Sequence, residues 1–123
     1  MKSTIENLEI YKLAERIEVF LYKLVKRFPG DERYRMVDQI CRASNAITSN
    51  IAEGYGRYHY KEKIRYLHIS RGEAWELRQL IIRAYKKDLI KKEKSDFLED
   101  KITNLIKGIN GYIRYFRGKQ KQD

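Results

Sequence analysis

Residues 37–56 read VDQICRASNAITSNIAEGYG, and this stretch decides the fold. Val37, Ile40, Ser44, Ile47 and Ile51 recur every three or four residues, which is the helical period. The face they mark is thin. Ala43, Ser44, Ala46 and Asn50 alternate with Ile40, Ile47 and Ile51, so a neighbouring helix is expected to come close. Gly54 and Gly56 mark a turn, and the helix is expected to end near Ala52 or Glu53. A second run follows from about Tyr60 to Leu89, with Ile64, Leu67, Ala74, Leu77, Ile81 and Ala84 on its seam. Gly72 lies inside that run, where glycine costs roughly 1 kcal/mol against alanine. Close packing against another backbone is the expected reason. Trp75 beside it reads either as core or as an intermolecular contact.

Working outward, Leu8, Tyr11, Ala14, Ile17, Leu21, Leu24, Val25 and Phe28 form one stripe, so a first helix is expected from about Ile5 to Phe28. Pro29-Gly30 stops it, and Asp31 and Glu32 then favour the positive end of the next helix. Toward the C-terminus, Ser95 reads as an N-cap with Asp96 in the first turn. Leu98, Ile102, Leu105, Ile109, Tyr112 and Phe116 follow in a heptad-like spacing suited to bundle packing. The tail from Arg117 to Asp123 has no apolar anchor and is expected to be mobile. Four amphipathic helices with short connections and no strand signals predict an all-α, antiparallel up-down-up-down four-helix bundle. Residues 1–123 are read as one domain.

The chain holds 27 basic and 17 acidic side chains, a net charge of +10, which favours anionic partners. The single cysteine, Cys41, forbids an internal disulfide and points to a reducing compartment. The residues after Met1 lack the apolar core of a signal peptide, and no apolar run approaches bilayer length. A cytoplasmic location without membrane contact is expected.

Three stretches carry a family resemblance. They are Phe28-Pro29 with Glu32-Arg33 and Gln39; Arg42-Ala43 with Ile47 and Asn50-Ile51-Ala52-Glu53-Gly54; and Arg65-Tyr66-Leu67 with Ile69, Arg71-Gly72, Ala74 and Glu76-Leu77. In these the segment from Phe28 to about Leu89 closely resembles the bacterial four helix bundle protein family, often encoded by intervening sequences within 23S ribosomal RNA genes. Ala46 and Glu73 stand where that family commonly has serine. The resemblance implies an up-down bundle that assembles as a homopentamer. It also implies kinship with the accessory protein of diversity-generating retroelements, a basic bundle that works with a reverse transcriptase and binds nucleic acid.

Two basic segments converge in such a bundle. From Gly54 to Gly72 there are Arg57, Lys61, Lys63, Arg65 and Arg71 with one acid, Glu62; from Lys107 onward there are Lys107, Arg114, Arg117, Lys119 and Lys121 with one acid, Asp123. The start of helix three and the end of helix four share a pole, and Tyr55, Tyr58, Tyr60 and Tyr115 are interleaved there. Cations hold phosphates and aromatic faces stack unpaired bases. Arg57, Tyr58, Lys61, Lys63, Arg65, Arg114, Arg117 and Lys119 are the candidate nucleic-acid contacts, with RNA favoured over DNA. The bland alternative is a solvated face with tyrosines in a subunit contact. The opposite pole, Arg83 to Lys94, also carries six bases against two acids.

Asn50, Glu53, Arg71 and Glu76 read as a structural polar network between helices two and three rather than a ligand pocket. No metal or cofactor is expected, because His59 and His68 lack a glutamate three residues earlier. Gly54-Tyr55-Gly56-Arg57 lacks the third glycine of a dinucleotide loop and follows a helix. No acid, base and nucleophile can be assembled, so the chain is not expected to be an enzyme. The expectation is a non-catalytic, oligomeric nucleic-acid-binding accessory protein. The alternative is a scaffold ring that docks a partner enzyme such as a reverse transcriptase.

Overall fold

The apolar periods of the sequence become four helices: α1 (Glu9–Leu24), α2 (Asp38–Tyr55), α3 (Tyr60–Lys86) and α4 (Lys92–Gln122). The computed structural model describes Ile5 and residues 8–122. The expected helical turn at Glu6 and Asn7, the residues Met1 to Thr4, and the acid Asp123 lie outside the described residues. Among those described there is no strand.

Pairwise contacts set the topology. Arg42 meets Glu76 while Ser70 meets Ile47, so α2 and α3 run in opposite directions. Arg78 meets Thr103, Arg71 meets Asn110 and Arg117 meets His68, so α3 and α4 do the same. Phe20 packs on Phe97 at 5.2 Å, while a Cβ on Gly108 would touch Ile10, which sets α1 against α4 in the same sense. Each helix therefore packs antiparallel to its sequence neighbour, and α4 closes onto α1.

The core is aliphatic. Leu21, Ile40, Ile47, Ile51, Leu77, Ile81, Leu98, Ile102, Leu105 and Ile109 are almost wholly removed from solvent. Burying each is worth about 1.5–3 kcal/mol. The seams expected for α2 and α3 are buried, apart from a half-buried Val37. In α4, Tyr112 and Phe116 only border the core, and Ile106 and Ile113 fill it instead.

Several boundaries differ from expectation. α1 tightens into a 3-10 turn at Val25–Arg27 and leaves helical conformation at Phe28. The acids Asp31 and Glu32 occupy a second 3-10 turn, Gly30–Glu32, and a π-helical turn, Arg33–Val37, precedes α2. α3 stops at Lys86, where Asp88 adopts φ 62° and Leu89 N–H bonds back to the Ala84 carbonyl. Aspartate tolerates that left-handed position better than most residues. Ser95 is not a cap. It lies inside α4, buried, with its hydroxyl 3.3 Å from Glu99 Oε2. The tail is helical through Gln122, since each added residue extends an existing hydrogen-bonded ladder without new nucleation.

The glycines exchange roles. Gly54 is not in a turn but buried near the end of α2, where a Cβ would stand 3.0 Å from Tyr66 Cβ and 3.3 Å from the Lys63 carbonyl. Gly72 is exposed, and a Cβ there would meet nothing within 4 Å, so close packing is not what it serves in this chain. The two make a matched test. Gly54→Ala should destabilise the fold by about 1–3 kcal/mol through overpacking at the α2–α3 junction. Gly72→Ala should stabilise it by about 0.5–1 kcal/mol by removing backbone freedom from the unfolded chain. Urea denaturation midpoints give both signs, and equal effects would contradict the α2–α3 packing described.

Candidate nucleic-acid interface

Antiparallel pairing sets the start of α3 beside the end of α4. Tyr60 stacks on Phe116 with ring centroids 5.8 Å apart, and Tyr115 meets Phe116 edge-on at 5.3 Å. The two basic segments therefore share one pole. Their cations fall into two groups.

One group is engaged within the fold. Arg57 donates to Glu53 Oε2 at 2.8 Å and to the Tyr66 hydroxyl at 2.9 Å. Arg65 pairs with Glu62 at 3.2 Å and lies over the Tyr66 ring. Lys63 donates to the carbonyls of Tyr55 at 2.9 Å and Gly54 at 3.4 Å. It thus adds a charged donor at the negative end of α2, where the Gly54 carbonyl also accepts the Arg57 N–H. Burial lowers its pKa from the ordinary lysine value. Arg57 and Lys63 hold the α2–α3 corner together, while Arg65 is engaged within α3.

The second group lines the seam between α3 and α4. On α3, Lys61, His68, Gly72 and Trp75 follow at spacings of seven, four and three, with the already paired Arg65 between the first two. On α4, Lys107, Asn110, Arg114, Arg117 and Lys121 follow at three, four, three and four. Both spacings keep side chains on one helical stripe. Arg71 Nη1 donates to Asn110 Oδ1 at 2.7 Å, and Arg117 lies 3.2 Å from His68 Nε2, so the stripes border a common groove. Among the described residues, Lys61, Arg71, Arg114, Arg117 and Lys121 form no ion pair. Lys119 sits over Tyr115 at 5.5 Å. Tyr58 is 89 % exposed and Trp75 50 %, so both present aromatic faces to solvent. Trp75 is therefore not core in this chain.

The expected polar network is absent as a unit. Asn50 donates to the Ala46 carbonyl of its own helix at 2.8 Å, Glu53 takes Arg57, Glu76 takes Arg42, and Arg71 turns to α4. The residues missed are His68 and Asn110. Only the three-residue spacing of His68 and Arg71 is local; their α4 partners lie tens of residues away, with no signal along the chain.

Two further features bear on chemistry. Burial, then Asp38 and Glu18, raise the Cys41 thiol above its ordinary value, away from the reactive thiolate. Among the described residues no three histidine, cysteine or carboxylate side chains group as a metal site, and no helix is long and apolar enough to cross a membrane.

His68 is pushed below its ordinary pKa of 6.5, first by burial and then by Arg71 and Arg117. As pH falls, the unfolded chain therefore takes up this proton before the folded chain does. Stability is lost as pH drops below the unfolded value and regained as pH rises. Between about pH 7 and about pH 5 the wild type should lose thermal stability relative to His68→Gln, which lacks the titration. Parallel melting profiles would contradict the burial of the ring beside the two guanidinium groups.

The fold is shared with a solved structure. A Bacteroides thetaiotaomicron protein of unknown function from the S23 ribosomal protein family superposes with a TM-score of 0.79 at 21 % identity, over 85 % of this chain and 95 % of that one. No curated protein matches the chain. The profile of the 23S rRNA-intervening sequence protein family matches residues 6–111, which span all of α1 to α3 and most of α4. By that match the chain belongs to the 23S rRNA-intervening sequence protein family.

Proposed function

We propose that the chain is a non-catalytic accessory protein that binds nucleic acid, RNA in preference to DNA, along the α3–α4 groove. The single observation behind this reading is the pair of stripes bordering one groove, on which Lys61, Arg114, Arg117 and Lys121 have no acidic partner among the described residues and Trp75 is half exposed at one end. Lys61, Arg71, Arg114, Arg117 and Lys121 are placed to meet phosphates, and Tyr58, Tyr115 and Trp75 to stack unpaired bases. Of the residues expected from the sequence, Lys61, Arg114, Arg117, Lys119 and Tyr58 remain in this role. Arg57 and Lys63 are assigned to the corner and Arg65 to its pair with Glu62 within α3, because their charges are already engaged.

Affinity for single-stranded RNA should fall steeply with salt. Replacing Arg114, Arg117 and Lys121 together by glutamine should reduce the slope of log affinity against log salt by about 2, at about 0.7 for each phosphate no longer neutralised. The matched triple replacement of Lys86, Lys87 and Lys91 at the opposite pole should leave it unchanged. A flat salt dependence, or equal losses from both triples, would sink the reading. It would return the groove to the alternative role of docking a partner protein.

The working unit is proposed to be a homo-oligomer, a pentamer on the family resemblance, so that each groove is repeated around a ring. Light scattering should then give a mass about five times the 14.8 kDa of the chain. A monomer mass at micromolar concentration would refute this.

A further inference from the structure

His68 presents a conflict of donors. Its Nδ1 lies 2.8 Å from Arg71 Nη2, and its Nε2 lies 3.2 Å from Arg117 Nη2. A guanidinium only donates, and a neutral imidazole offers one lone pair and one N–H. One contact is therefore a proper hydrogen bond and the other sets N–H against N–H. The Arg71 side is the satisfied one. It is shorter, and Arg71 is fixed from behind by its 2.7 Å bond to Asn110 Oδ1. This makes Nδ1 the acceptor and leaves Nε2–H aimed at Arg117, which is exposed and free to move. Protonating the ring offers no relief, because it adds a third positive charge between two others.

The missing component is an acceptor with negative charge. An oxyanion entering between Nε2 and Arg117 would take the imidazole N–H and a guanidinium N–H together, replacing a repulsive contact by two charge-assisted hydrogen bonds. Arg114, one turn before Arg117 on the same stripe, adds positive potential, and among the described residues no carboxylate pairs with Arg71, Arg114 or Arg117. We infer that His68, Arg71 and Arg117 form a phosphate-binding notch at the centre of the α3–α4 groove, which holds one backbone phosphate of a bound nucleic acid. Asn110 is the positioning residue that orients Arg71. This deepens the proposed nucleic-acid reading and rests on it for the identity of the ligand.

The experiment is nitrogen-15 NMR of the two histidine rings in the full chain, at constant ionic strength. Inorganic phosphate is titrated first and a mixed-sequence single-stranded RNA second. Phosphate should move the His68 Nε2 resonance and raise the apparent pKa of that ring, while His59 stays still. Arg117→Gln, at an exposed position outside the core, should abolish the response to phosphate and weaken RNA binding about tenfold, the loss expected for a hydrogen bond to a charged group. If phosphate leaves His68 unmoved, or moves His59 equally, the notch is refuted. If RNA binds with a steep salt dependence but His68 does not respond, the notch fails and the nucleic-acid reading stands. If phosphate moves His68 and Arg117→Gln removes the effect, yet RNA does not bind, the notch stands as an anion site and the nucleic-acid reading falls.

Discussion

The hydroxyl of Ser70 donates to the Ile47 carbonyl across the α2–α3 seam at 3.0 Å, fully buried. A side chain as short as serine reaches the backbone of the next helix only when the two axes are close. That closeness is helped by the small buried side chains of Ala43 and Ala74 and by the absence of a side chain at Gly54, where a Cβ would meet Tyr66 and Lys63 of α3. The bond itself is worth about 1 kcal/mol, but leaving either group unpaired in the interior would cost more. It thus penalises registers in which the helices slide or separate.

The remainder of the bundle depends on that register. With α2 and α3 locked, the end of α2 lies against the first turns of α3, and Lys63 reaches the last carbonyls of α2. Arg57 folds back onto Glu53 and Tyr66 in the same corner. The α3 face next to the one that meets α2 is then left for α4, whose heptad-like apolar seam enters the core. The polar stripe of α4 comes to rest along His68 and Arg71. The groove is thus the outer edge of the seam that closes the bundle.

Charge at this pole divides by burial and by local acids. Where a carboxylate lies three or four residues away on the same helix or at its end, as Glu53 does for Arg57 and Glu62 for Arg65, the cation is satisfied within the fold. Such exposed pairs contribute little to stability, yet they remove a cation from the pool available to a ligand. The α4 stripe from Lys107 to Lys121 has no acid among its members, so its field remains directed outward. Net charge alone does not separate these cases, since both basic segments count equally along the chain.

Helix number, the buried seams and the convergence of two basic segments were legible in the sequence, because apolar period and charge are properties of residues a few positions apart. The helix ends were less so. The π-helical turn before α2, the continuation of α4 through Ser95 and through the C-terminal lysines, and the left-handed Asp88 all depend on what each turn packs against. The roles of Gly54 and Gly72 were interchanged for the same reason, as a missing side chain matters only where another backbone stands in its place. The contacts of His68 with Arg117, and of Arg71 with Asn110, join residues 49 and 39 positions apart. Only the packing of α4 on α3 brings them together, and with them the point in the groove where two guanidinium groups face a single imidazole.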